Sequence, residues 1–219
     1  MDCEFNPQGG TFALQTNNSE IITMTEITKP AITLTKAGMG LSDGLPLQAS
    51  DGGIDELRRD VQRMMDIEAI KQLKHRYFRC IDTANWEELE PGLHADMKTH
   101  YMGGGYEFKL ASRAEFLATM EQAFHSEAVG RNNGSRPEID RLSDTEATGS
   151  WYLYDHFWSM NNDSLTHGTA LYWDRYVKED GRWQIKETSY QRIYQINEKL
   201  SEKPALAAHY LSEHGYKHK

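Results

Sequence analysis

Residues 147–158 read ATGSWYLYDHFW, and the alternation within this stretch decides the fold. Ala147, Gly149, Trp151, Leu153 and Asp155 mix small and large side chains, whereas the intervening Tyr152, Tyr154, His156 and Trp158 are uniformly large. A period of two marks a strand, because successive side chains leave a strand on opposite faces. The mixed face suits a concave surface that meets helices and a ligand. The bulky face suits burial against a second subunit. Toward the C-terminus, residues 167–178 and 183–196 repeat the pattern and place Gly168, Ala170 and Tyr172, then Thr188, Tyr190 and Arg192, on the comparable inner face. Asp180-Gly181 between them is a hairpin signal, since both central residues of a type I′ turn take positive φ. With a shorter strand at 136–142, the C-terminal half reads as an antiparallel meander.

Working toward the N-terminus, the period changes to that of a helix. Leu57, Val61, Met64, Ile67 or Glu68, Ile70, Leu73, Tyr77 and Ile81 recur at about three- and four-residue spacings, which predicts a long helix from Ile54 to about Asp82 with a break near Asp66. A short helix is expected over Trp86 to Leu93, then a strand from Met97 to Met102 that runs into Gly103-Gly104-Gly105. Ser112 and Glu115 form a capping box that predicts a helix over 113–125. Pro204 is suited to a first helical turn and predicts a last helix that stops before Gly215. Helices followed by an antiparallel sheet give an α+β class. The division expected is an N-terminal arm over 1–53, a globular domain over 54–200 and a C-terminal helix and tail over 201–219. Within the arm, Ile21 to Ile27 and Ala31 to Thr35 are β-branched stretches able to extend a sheet edge or reach a neighbouring subunit.

Composition limits the function classes. The 219 residues carry a formal charge of −9, which offers no field for nucleic acid or an anionic membrane. No apolar run approaches the roughly 20 residues of a membrane span, and the N-terminus has no secretory signal pattern, so a cytoplasmic protein is expected. Cys3 and Cys80 make neither a disulfide framework nor a thiolate metal cluster. Of the nine histidines, His209, His214 and His218 lie near the tail and none joins nearby carboxylates at metal-ligand spacing, and neither a dinucleotide nor a phosphate-cradling motif is present, so the expected site uses no metal and no cofactor.

The order of elements resembles the SnoaL-like branch of the nuclear-transport-factor-2-like superfamily. The resemblance rests on Tyr77-x4-Asp82-x3-Trp86, the segment from Asn132 to Ile139, the run from Ala147 to Trp151, and Asp180-Gly181-Arg182-Trp183, and it spans roughly residues 60–196. It implies a curved sheet wrapped by helices into a cone. The branch includes polyketide cyclases, scytalone dehydratase, bile-acid dehydratases and a hexachlorocyclohexane dehydrochlorinase, and the superfamily also has non-catalytic members. In the resembling enzymes, an aspartate at the place of Asp82 pairs with a histidine about fifty residues later. Here that place holds Asn132.

Asp82 at the negative end of a helix and against an apolar cone should ionise reluctantly, which suits a general base. The competing reading is ordinary turn chemistry over Asp82-Thr83-Ala84-Asn85. Asn132 can orient Asp82 or donate to a developing oxyanion, but it cannot take and return a proton. Tyr77 is a candidate hydroxyl donor. Arg131 could supply fixed charge, although a loop arginine is commonly only solvated. Trp86, Tyr101, Trp151, Leu153, Asp155, Tyr172, Tyr190 and Arg192 are expected to shape the pocket. His100 and Tyr101 face opposite ways, so only one of them reaches it. The reading that follows is a cofactor-independent lyase for a hydroxylated aromatic or polycyclic molecule, by dehydration or by retro-aldol cleavage that releases a small aldehyde. A cyclase or isomerase, or a non-catalytic ligand binder, is the alternative. A homo-oligomer, dimer or trimer, through the outer sheet face is expected.

Overall fold

The computed structural model describes residues 32–45 and 53–217. Helix α1 (Ile54–Asp82) leads into a one-turn helix α2 (Trp86–Leu89), capped by the Asn85 side chain accepting from the Glu88 N–H. Pro91 then tightens the chain into a 3-10 turn over Glu90–Gly92, so the expected helix to Leu93 ends early. Strands β1 (Leu93–Met102) and β2 (Glu107–Leu110) follow, then α3 (Arg113–Ala123), where Ser112 accepts from the Glu115 N–H as the capping box requires. Strands β3 (Ala128–Arg141), β4 (Glu146–Ser159), β5 (Ser164–Glu179) and β6 (Arg182–Lys199) complete one curved sheet in the order β2-β1-β6-β5-β4-β3. All pairings are antiparallel except β1 with β6. Positive φ at Asp180 and Gly181 closes the β5–β6 hairpin as the dipeptide predicts.

Several boundaries differ for physical reasons. Helix α1 is unbroken at Asp66, because that carboxylate is buried and accepts from Lys178 Nζ at 2.8 Å and Trp183 Nε1 at 3.0 Å. Burial alone would raise its pKa, but these bonds outweigh it and hold the group below its ordinary value. The segment 128–135, polar and glycine-rich, is strand and not loop, so Arg131 and Asn132 are strand residues. Its glycines admit large neighbours. A Cβ on Gly134 would stand 1.8 Å from Phe78 Cε2, and one on Gly130 would stand 2.4 Å from Phe124 Cε1. The last helix, α4, covers only Tyr210–His214 and does not start at Pro204.

The parity read from 147–158 agrees with the burial. Trp151 and Leu153 are buried, while Tyr152 and Tyr154 are exposed on the opposite face. Residues 32–45 cover part of that outer face: Met39 and Leu41 pack on Leu171 and Trp173, the Ile32 N–H donates to Gln191 Oε1 at 2.8 Å, and Lys36 pairs with Asp140 at 2.6 Å. The Ile32 main chain therefore meets the sheet through the Gln191 side chain, and residues 32–35 add no strand to it, while Ala31 lies outside the described residues. The stretch Ile21 to Ile27 lies outside the described residues, as does most of the expected arm.

Candidate functional site

The end of α1 and the edge strand β3 bring two candidates together. The Asn132 N–H donates to both carboxylate oxygens of Asp82, at 3.0 and 3.1 Å, and the Asn132 side-chain amide donates to Oδ1 at 2.7 Å. Asn132 can spend its main-chain donor here because β3 has no neighbour on its outer side. Burial raises the Asp82 pKa from 3.8 to about 6, and the nearby Asp155 carboxylate adds to the rise. The Asn132 bonds and the positive charge of Arg131 oppose it without cancelling it. The result is a carboxylate oriented by three hydrogen bonds from two donor groups and still basic enough to take a proton near neutrality.

Asp82 and Asn132 open onto a cleft of about 380 Å³ between α1 and β3. Its other walls are His75, Phe78, Arg79, Thr83, Asn133 and Gly134. None of these six is evident from the apolar periodicity of the helix. The visible signal is the spacing of His75, Arg79 and Asp82, at i, i+4 and i+7, which marks a polar face beside the apolar one.

The remaining candidates lie elsewhere. Tyr77, Tyr101, Tyr172 and Tyr190 form a buried cluster and do not line the cleft. The Tyr77 and Tyr101 hydroxyls bond at 2.6 Å, Tyr101 stacks on Tyr190 at 4.2 Å, and Tyr172 meets both Tyr101 and Tyr190 edge-on. Burial pushes all four phenols above their ordinary pKa, so they remain neutral donors. Beneath them lies the ion pair of Lys74 and Asp174, at 2.9 Å with both side chains wholly buried. Lys74 lies over the rings of Tyr172 and Tyr77, at 4.0 and 4.4 Å, and burial lowers its pKa. Trp151 is core: it donates to Tyr176 at 3.0 Å, and Leu153 is buried beside it on the same strand. Arg192 holds Asp155 in a two-pronged ion pair, which leaves that arginine less available as a free anion site. Trp86 is partly buried against the core, and His100 turns outward to Glu107 at 2.9 Å, so Tyr101 is the inward member of that pair. Among the described residues, no group of three or more His, Cys, Asp or Glu is arranged to hold a metal ion, and no helix is long and apolar enough to cross a membrane.

A family model for the SnoaL-like domain matches residues 62–189, more than half of the chain. The chain belongs to the SnoaL-like domain family. Solved structures of similar fold include a protein from Novosphingobium aromaticivorans DSM 12444 named for scytalone dehydratase. It is 20% identical with a TM-score of 0.55, over 67% of this chain and 95% of that one. A hexachlorocyclohexane dehydrochlorinase from Novosphingobium barchaimii LL02 is 14% identical with a TM-score of 0.57, over 68% and 99%. A nuclear-transport-factor-2-like protein with a cystatin-like fold, also from N. aromaticivorans, is 15% identical with a TM-score of 0.53, over 66% and 92%. At these identities the likeness is one of fold. Within the SnoaL-like frame, the Asp82–Asn132 pair sits at the end of the first helix and on the strand that faces it.

Proposed function

We propose that this SnoaL-like protein is a cofactor-independent lyase in which Asp82 removes a proton from a hydroxylated aromatic or polycyclic small molecule, so that water or a small aldehyde is eliminated. The observation that carries the reading is the Asp82 carboxylate, fixed by three hydrogen bonds from Asn132 in an open cleft and raised to about 6. A turn aspartate has no need of such an environment, since ordinary turn chemistry works at the surface. The names of two proteins of like fold, a dehydratase and a dehydrochlorinase, denote eliminations, and this supports the same reaction class. Phe78 supplies an apolar wall for a ring, and the amide of Asn133 supplies polar contact.

The buried tyrosine cluster favours a second reading. Where the expected pocket walls pack against one another, less interior volume remains for a ligand, as in a fold that has kept its shape and lost its chemistry. Turnover separates the two readings. β-Hydroxypropiophenone is a suitable probe, because loss of water gives phenyl vinyl ketone and retro-aldol cleavage gives acetophenone and formaldehyde. With Asp82 as base, kcat/KM should fall on the acid side with a midpoint near pH 6, and Asp82→Asn should lower it by about 10²–10⁴-fold. Undiminished turnover by the Asp82→Asn variant overturns the assignment.

A further inference from the structure

Elimination of a hydroxyl group needs more than a base, because hydroxide leaves poorly unless it is protonated as the bond breaks. Asn132 cannot give that proton. The cleft contains three ionisable side chains: His75, Arg79 and Asp82. Arg79 is permanently charged, and both ends of its guanidinium are held by Glu88, one at 3.0 Å. That leaves the imidazole. His75 lies seven residues before Asp82, two helical turns, so their side chains project from one face with Cα atoms roughly 10.5 Å apart. The Cα–Cβ bonds of both residues tilt alike toward the helix N-terminus, so the two side chains keep this offset along the helix. Both side chains line the one cleft, so a substrate lying along α1 would meet Asp82 with its acidic C–H and His75 with its leaving oxygen. The His75 ring stands edge-on to the buried Trp151 at 5.8 Å, which limits its orientations, and among the described residues no hydrogen bond or ion pair engages its nitrogens.

We infer that His75 is a catalytic residue of this cleft, the proton donor that Asn132 cannot be. The inference rests on the reading of Asp82 as base. In the dehydration direction, Asp82 takes the proton from the carbon beside the carbonyl, and the C–H electron pair becomes the new C=C bond. The C–O bond breaks with its pair on oxygen, and the His75 proton turns the departing hydroxide into water. Asp82 ends protonated and His75 neutral, and solvent carries the proton from one to the other before the next turnover. The helix then supplies both acid and base, while β3 supplies only the donors that hold the base.

A pair of probes tests this. β-Chloropropiophenone loses chloride, which needs no proton, and gives the same phenyl vinyl ketone as the hydroxy ketone. His75→Gln and His75→Phe should slow loss of water by about 10²–10⁴-fold, whereas loss of chloride falls less than about tenfold. His75→Phe retains an aromatic edge against Trp151, so agreement between the two variants assigns the effect to the proton and not to packing. Asp82→Asn should slow both probes. If the His75 variants slow both ketones equally, or slow neither, the proton-donor role is wrong while the base assignment stands. If Asp82→Asn spares both ketones, or the unaltered protein turns over neither, the elimination reading itself fails and this inference with it.

Discussion

A buried carboxylate held at an unfavourable protonation equilibrium costs the fold something, and for Asp82→Asn that cost is predictable. Asp82 titrates near 3.8 in an unfolded chain and at about 6 in the native structure. Between these values the native state keeps a proton that the unfolded state has lost. Stability contributed at Asp82 is therefore fully present at low pH and is lost as pH rises through this window. Above it, the ionised side chain costs the native state about 3 kcal/mol in the limit. An asparagine has no charge to desolvate, although it returns one fewer acceptor to the Asn132 donors, worth about 1 kcal/mol. The variant should thus be more stable than the parent by about 1–3 kcal/mol at about pH 8 and nearly equal to it at about pH 4. Urea unfolding at several pH values, read as midpoint and slope, measures this directly. A variant that is less stable at every pH would show Asp82 to be a structural turn residue, and the reasoning from burial to basicity would fail with it.

Two further outcomes follow from the same structure. Lys74→Met removes the counter-charge of the buried Asp174 and leaves it, among the described residues, only the Tyr176 hydroxyl, which should cost about 3–5 kcal/mol. Adding Asp174→Asn should recover part of that loss, and a single variant within about 1 kcal/mol of the parent in denaturant unfolding would count against a charged pair. On the outer sheet face, Tyr152, Tyr154, Tyr194 and Ile196 are 40–47% exposed beside the part covered by residues 32–45. We expect this patch to bury itself against a second copy, so Tyr154→Lys combined with Tyr194→Lys should lower the mass found by sedimentation, and an unaltered mass would place any interface elsewhere.

The parts of this molecule that were legible in the sequence are those in which local pattern and tertiary environment agree. The strand at 147–158 alternates because the sheet has a packed face and an open one, and the Asp180-Gly181 turn follows from backbone sterics alone. Ser112 and Glu115 satisfy the same helix start in isolation or in context. Where the two disagree, the reading fails. The segment from Gly130 to Gly134 looks like a loop, yet it is an edge strand because the missing side chains admit Phe124 and Phe78. A buried aspartate looks like a helix break at residue 66, yet its partners are Lys178 and Trp183, more than a hundred residues away. The 3-10 turn at Pro91 falls between these cases, since the proline shows a helix must falter without showing where the chain goes next.

The site divides along the same line. Asp82 and Asn132 are candidates from the SnoaL-like resemblance, and the structure brings these two within hydrogen-bond reach. The inner residues of the strands were correctly assigned to a face, but a face does not say whether its side chains enclose space or fill it. That depends on whether residues from separate elements meet. Tyr77 from α1, Tyr101 from β1, Tyr172 from β5 and Tyr190 from β6 do meet, hydroxyl to hydroxyl and ring to ring, with the Lys74–Asp174 pair below them. Once they close the interior, the accessible side of Asp82 is the one along α1, and the residues that share it are set by helical geometry and not by strand parity. Under the proposed assignment, an asparagine at position 132 has its physical sense there. A strand residue that orients the base through its amide and its main-chain N–H needs no titratable group of its own if the acid stands two turns up the helix.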